Sequence, residues 1–160
     1  MNNNKTSDID ELDIDILKHL SSDGRKNKSA IAEDLKRSPN TIIKHISSLE
    51  EHGIIKNYGV QIDYEKLGYG IIALIELTIS KGKMLDEEQK IAENPNVFAV
   101  YDITGEYDAL ILARFKNRQT LSKMIKEIHK SPNVERTNTH LILNIIKDSS
   151  SFNDLISKKE

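Results

Sequence analysis

The sequence predicts an α+β chain of two unlike halves: an N-terminal helix-turn-helix unit, then a hinge strand, then a C-terminal ferredoxin-like βαββαβ sandwich. Three observations carry this. Residues 27 to 53 read as two short helices joined by a tight turn, the second opening on Ser38-Pro39-Asn40-Thr41. Beyond Gly70 the texture changes to runs rich in β-branched residues. Within that half, Asn94-Pro95-Asn96-Val97 and Ser131-Pro132-Asn133-Val134 each close a helix and launch a strand. Proline blocks helix continuation at both places, so the echo marks one β-α-β unit repeated.

A first helix is expected from Asp8 to about Leu20, with Asp8 and Glu11 at capping-box spacing and Leu12, Ile16 and Leu20 as its inward stripe. Ser21-Ser22-Asp23-Gly24 ends it. Asn27 caps the second helix, which points Ile31 and Leu35 inward and offers Ala32 for close helix approach. Lys36-Arg37 makes the turn. Ser38 then caps the third helix, and Pro39 suits its first position because the missing N–H costs nothing there. Ile42, Ile46 and Leu49 form one apolar stripe, widened by Ile43, and Gly53 stops the helix. Ile54 to Asp63 alternates well enough to read as a linker strand.

Four strands follow, Ile71 to Ile79, Val97 to Ile103, Ala109 to Phe115 and Val134 to Ile146. Helices from about Leu85 to Glu93 and Thr120 to His129 separate them. An antiparallel sheet with both helices on one face would leave the other face carrying Ile72, Leu74, Leu110, Leu112 and Ile142. Large apolar faces are rare on monomers, so a dimer formed through the sheets is expected. The domain reading is 1–53 for the helix-turn-helix, 54–68 for the hinge, 69–147 for the β-rich domain, and 148–160 for a tail. Residues 1 to 6 are polar and expected to be disordered. The tail is expected either to pack on a neighbouring subunit or to stay loose.

The chain has 160 residues, 38% hydrophobic and 30% charged, with a formal net charge of -2. That average hides segregation. From Gly24 to Lys56, Arg25, Lys26, Lys28, Lys36, Arg37, Lys44 and Lys56 outnumber Glu33, Asp34, Glu50 and Glu51. There is no cysteine, which excludes disulfides and thiolate metal sites. The longest apolar run, Ile71 to Ile75, is too short to cross a bilayer, so a soluble, cytoplasmic protein is expected. The five histidines show no tight ligand pair, and neither a metal nor a cofactor is expected.

A capped amphipathic helix with a polar, uncrowded flank is what a helix-turn-helix inserts into the DNA major groove. Asn40, Thr41, Lys44, His45 and Ser48 are the candidates for contact with DNA: Asn can bond adenine, Thr can touch a thymine methyl, and Lys can reach guanine or phosphate. Arg25, Lys28, Ser29 and Arg37, with Ser38 at the helix start, are placed to hold phosphates rather than read bases. The bland alternative is a solvated helix face.

In their order, Asp15-Ile16-Leu17, Gly24-Arg25, Ile31-Ala32, Ser38, Thr41, Ile42, Ile46, Leu49-Glu50, Gly53-Ile54-Ile55, Tyr58, Gly105-Glu106-Tyr107-Asp108, Thr137, Thr139 and Leu141 to Lys147 resemble the Lrp/AsnC (leucine-responsive, feast/famine) family of transcription regulators. The resemblance implies a winged-helix-like DNA-binding domain, a hinge strand and a ligand-sensing, assembling domain of the RAM type. It also implies dimers that associate further, to tetramers or octamers, on pseudo-palindromic double-stranded operators. It implies an amino-acid effector bound at subunit interfaces by Asp102, Thr104, Gly105, Glu106, Tyr107 and Asp108, with Thr137 and Thr139 lining the same cleft. A self-satisfied hairpin is the alternative there. The chain departs from the family pattern with His45 where arginine is usual, Lys36-Arg37 where glycine and an apolar residue are usual, and Glu106 where aspartate is common. Two other functions stay open: a ligand-dependent assembly partner with weak DNA binding of its own, and an enzyme using the Asp102, Glu106 and Asp108 carboxylates. No nucleophile–base pair or phosphate loop supports the enzyme.

Overall fold

The structure, a computed structural model, describes residues 9–80, 82–148 and 152–157. The expected Asp8 cap and the 1–6 segment lie outside them. The chain forms two compact units, one of residues 1–61 with 147–160 and one of residues 62–146. The chain therefore leaves the first unit at Gln61 and rejoins it at Lys147.

The first unit contains α1 (Glu11–Ser22), α2 (Lys28–Asp34), α3 (Pro39–Glu51) and α6 (Phe152–Ser157). Its core is Ile16, Ile31, Ala32, Ile42, Ile46 and Leu49, edged by Leu12, Leu20, Leu35, Ile54 and Ile55. Ile16, Ile31, Ile42 and Ile46 are completely buried, each stabilising the fold by about 1.5–3 kcal/mol. Truncating Ile46 to alanine would cost about 2–5 kcal/mol.

α1 is capped by Asp10 rather than Asp8. The Asp13 N–H donates to Asp10 Oδ1 at 2.8 Å and the Asp10 N–H to Asp13 Oδ2 at 3.1 Å, a reciprocal capping box. Both spacings exist in the Asp-Ile-Asp-Glu-Leu-Asp run, and Asp13 of the later one also has a partner on α3, described below. α2 ends in a Schellman motif, with Arg37 N–H bonded to Ala32 O at 2.8 Å and Lys36 N–H to Glu33 O at 3.1 Å. This forces Lys36 to φ 52°, a left-handed position held by a non-glycine residue. α3 ends the same way. Gly53 takes φ 69° without penalty, and Ile54 bonds back to Leu49 at 2.9 Å while packing on the same core.

The described part of the expected tail, residues 152–157, is not loose but folds on its own chain. α6 packs against α1, where the Asn153 amide donates to Ser22 Oγ at 2.8 Å. The expected hinge strand has no ladder partner among the described residues. Residues 54–63 form a bend and irregular backbone, leaving Val60 78% exposed. The alternation in this segment is real, but every strand of the sheet runs elsewhere. Tyr58 does find a partner, its hydroxyl donating to Glu50 on α3 at 2.8 Å.

The second unit has β1 (Ile71–Ile79), α4 (Met84–Ala92), β2 (Val97–Asp102), β3 (Ala109–Phe115), α5 (Arg118–Ile128) and β4 (Val134–Leu141). The strands pair antiparallel in the order β2-β3-β1-β4, the ferredoxin-like arrangement. Ala73, Ile75, Leu77 and Ile79 of β1 and Ala109, Ile111, Ala113 and Phe115 of β3 are buried with Ile91 of α4 and Leu121, Met124 and Ile128 of α5. Ile72, Leu74, Leu110 and Leu112 lie half-buried on the opposite face. β4 stops at Leu141, short of the expected Ile146. Leu141 pairs with Ala73, two residues from the start of β1, and beyond it the Ile72 carbonyl takes the Ile142 N–H at 2.9 Å. Glu76 sits half-buried on the open face, where Asn138 and His140 reach it at 2.9 and 3.1 Å.

Candidate nucleic-acid interface and effector site

α3 owes its orientation to its two sides. Ile42, Ile46 and Leu49 face the core, and the Ser38 hydroxyl accepts the Thr41 N–H at 3.1 Å, fixing the helix start. The opposite flank carries exposed Asn40, Ile43, Lys44 and Ser48, whose spacing aligns them along one side. Ile43 does not widen the buried stripe as expected. It is 41% exposed and absent from the core it was expected to join. An apolar side chain on an otherwise polar outer flank suits contact with thymine methyl groups.

The other candidates are placed unevenly. Arg25, Lys28, Ser29, Arg37 and Ser38 are exposed around the ends of α2 and the start of α3. Thr41 is half-buried with its hydroxyl 2.8 Å from that of Ser38. His45 is half-buried, and its Nδ1 lies 2.7 Å from Asp13 Oδ1. The reading of His45 as an open base-contacting side chain is thereby narrowed to its other ring nitrogen. Lys26, which was given no role, pairs with Asp34 at 2.6 Å and holds that carboxyl below its ordinary pKa. Burial and the Glu50 carboxylate push the Tyr58 hydroxyl up to about 12, so it remains a hydrogen-bond donor at neutral pH.

Asp10, Asp13 and His45 are the one group, among the described residues, whose ligand-type atoms lie within 4.8 Å of one another. The capping box and the His45 contact already occupy these carboxylates, so the cluster is explained without an ion.

In the second unit, Asp102 ends β2 and Asp108 begins the return to β3, with Thr104, Gly105, Glu106 and Tyr107 between them. Gly105 at φ 129° makes a turn that an L side chain strains to adopt. Asp108 braces the hairpin: its Oδ2 accepts the Ile79 N–H at 2.8 Å. Glu106 is paired to Arg136 of β4 at 2.8 Å, and the same guanidinium lies over the Tyr107 ring at 5.4 Å. Thr137 and Thr139 are not gathered to this loop by any contact. They register with Leu77 and Ile75 on the helix side of the sheet, and the Thr137 hydroxyl sits 2.6 Å from His129 Nε2. Arg136, which sequence reading passed over, is the β4 residue that reaches the loop. Only the register, which sets it opposite Thr78, reveals it.

α4 supplies a second missed residue. Its inward stripe is Met84, Glu87, Glu88 and Ile91, with Leu85 outside and 66% exposed. Glu87 is satisfied by the Asn133 amide at 2.9 Å, a bond that lowers its pKa despite burial. Glu88 is buried with Oε1 unpartnered, and burial, with Asp102 and Asp108 adding repulsion, raises its pKa. Two acids on an apolar stripe were visible in the sequence as a pattern conflict.

A capped helix-turn-helix with an open polar flank, in one chain with a ferredoxin-like sandwich carrying a glycine hairpin, defines a DNA-binding protein with an attached sensing domain. Residues 9–56 match the winged helix-turn-helix DNA-binding model, and residues 72–152 match the Lrp/AsnC ligand binding domain. An HTH-type transcriptional regulator of Pyrococcus horikoshii is 38% identical over 88% of this chain and 95% of its own length. The regulator FL11 of the same organism is 33% identical over 90% and 95%. Among solved structures, a transcriptional regulator of Neisseria meningitidis in complex with L-methionine superposes with a TM-score of 0.82 at 27% identity, over 92% of this chain and 99% of that one. AsnC of E. coli shares the fold at a TM-score of 0.85, with 23% identity over 90% and 98%. The chain belongs to the Lrp/AsnC family and is a DNA-binding transcriptional regulator. The family consists of regulators rather than enzymes, which removes the catalytic reading of Asp102, Glu106 and Asp108.

Proposed function

We propose that α3 reads a double-stranded operator with Asn40, Ile43, Lys44 and Ser48, while Arg25, Lys28, Ser29 and Arg37 hold the phosphates and Ser38 and Thr41 fix the helix start. The observation that carries this is the exposed flank of α3 lying opposite its buried Ile42–Ile46–Leu49 stripe. Two such helices in a dimer address half-sites one DNA turn apart, about 34 Å, on a pseudo-palindromic sequence. The apolar open face of the sheet, together with Phe98 and Tyr101 at 48% and 53% exposure, supports pairing of two copies through their sheets. Further association to tetramers or octamers, and a cytoplasmic location, fit the family.

The effector is an amino acid held at the Asp102–Asp108 hairpin with Arg136. A relative's complex with L-methionine supports the ligand class, and the glycine turn with its flanking carboxylates supports the place. Ligand binding controls DNA engagement only if assemblies differ in their affinity for it. Selection of bound duplexes from a random pool, with and without amino acids, tests the reading. An enriched motif with two-fold symmetry supports it. No enrichment favours the assembly-partner reading, in which the engaged His45 weakens direct binding.

A further inference from the structure

The outer side of α5 carries charge of one sign. Arg118, Lys123 and Lys126, with Lys130 in the turn that follows, are exposed on the flank opposite the buried Leu121, Met124 and Ile128. From Lys116 to Lys130 the sequence holds five lysines or arginines against one carboxylate, in a chain whose net charge is -2. Lys116 is engaged elsewhere, its ammonium lying over the Tyr69 ring at 4.9 Å. Of the other four, only Lys123 has an ion pair among the described residues, with Glu127 at 4.0 Å, and its side chain is 78% exposed. Solvent screens such a pair almost entirely. Folding does not call for this arrangement. The helix dipole favours Lys126 and Lys130 near the C-terminus but opposes Arg118 at the start, where no acid offsets it. α4, packed on the same core, instead carries Asp86, Glu87 and Glu88.

We propose that this face of α5 is a second phosphate-binding surface, which holds duplex DNA beyond the stretch engaged by the helix-turn-helix. Only DNA binding by the chain is required for this, not the choice of base-reading side chains on α3. Arg118 to Lys130 spans about 18 Å of helix axis at about 1.5 Å per residue. Duplex DNA carries one negative charge per about 1.7 Å, so the same length offers about ten phosphates to four cations. Lysine suits the task, because an ammonium on a flexible stem meets a phosphate without a fixed geometry and reads no base. Once the helix-turn-helix holds a duplex, the flanking DNA stands at high effective concentration for the rest of the assembly, and weak contacts then suffice. A lipid surface is the poorer fit. A basic helix settles into a membrane interface by burying its apolar side, and that side of α5 is already taken up by the core of its own domain.

The test is fluorescence anisotropy of the full-length protein on two random-sequence duplexes. One is about 20 base pairs long, the span of two half-sites one turn apart, and the other is about four times that length. Binding is measured between about 50 and 200 mM salt. One variant combines Lys123→Gln, Lys126→Gln and Lys130→Gln; a second places arginine at the same three positions. The glutamine variant is expected to lower the slope of log affinity against log salt by about 2–3 on the long duplex, at about 0.9 per lost phosphate contact. On the short duplex it should match the unmodified protein, and the arginine variant should keep the full slope on both. An unchanged slope on the long duplex overturns the proposal and leaves α5 a solvated face. An equal drop on both lengths also overturns it, placing the lysines over DNA that the helix-turn-helix already covers. Altered sedimentation with the slopes intact overturns it in favour of an acidic surface on another copy.

Discussion

His45 on α3 and Asp13 on α1 are joined by a 2.7 Å contact from Nδ1 to Oδ1, between residues far apart in sequence. The carboxylate that closes the cap of the first helix therefore also ties that helix to α3, the helix proposed to read DNA. Asp13→Ala is expected to cost about 1–2 kcal/mol, since it removes half of the capping box as well as the His45 partner. A double-mutant cycle with His45→Ala, read by urea unfolding, should give a coupling of about 0.5–1.5 kcal/mol. Additive losses would show that the two helices are held by the apolar core alone.

Lys44→Glu should abolish operator binding in a mobility-shift assay while sedimentation shows the same oligomer. Ile43→Ala should leave the melting temperature within about 1 °C, because an exposed side chain outside the core contributes little to folding. It should still weaken specific binding, by about 1–3 kcal/mol if it meets a thymine methyl. Equal loss on specific and random duplexes would assign Ile43 no base contact.

Lys36 pays for its left-handed backbone. Lys36→Gly relieves about 1–2 kcal/mol of native strain and gives back about 0.5–1 kcal/mol through a more flexible unfolded chain. A net stabilisation of about 0.5–1 kcal/mol is expected in thermal or urea unfolding, with lower affinity for DNA if the Lys36 charge contributes to phosphate attraction.

Glu87 and Glu88 are neighbours with opposite effects. The Glu87 carboxyl is lowered, chiefly by Asn133, so its stabilisation is present above the ordinary carboxyl range and lost as pH falls through its native value. The Glu88 carboxyl is raised, chiefly by burial, so its favourable protonated state is present at low pH and lost as pH rises through its native value. At pH 7 without ligand, Glu87→Gln should lower the melting temperature and Glu88→Gln should raise it. Both differences should fade toward about pH 3, where unfolded glutamate is itself protonated. Shifts of the same sign for both variants would contradict the assignment.

The helix ends and strand cores were legible because each is written locally. Ser38-Pro39, Asn27 and Gly53 name their caps, and β1 and β3 occupy the apolar runs Ile71–Ile79 and Ala109–Phe115 that were expected as strands. What stayed hidden depends on distant partners. Asp10 caps α1 while His45 engages Asp13, and β4 ends at Leu141, opposite Ala73 of β1. Arg136 joins the hairpin only through strand register. The Ile43 error came from treating every apolar residue near a stripe as part of it, although 41% of that side chain faces outward. The tail's place on α1 has no signature beyond a few apolar residues in a polar run.

Because α6 packs on α1, the DNA-binding half is built from segments on both sides of the β-rich domain. A hybrid regulator that grafts a foreign sensor onto this reading head needs two seams, one near Gln61 and one near Lys147. A graft with a single seam would discard α6 and uncover the surface of α1 that it shields.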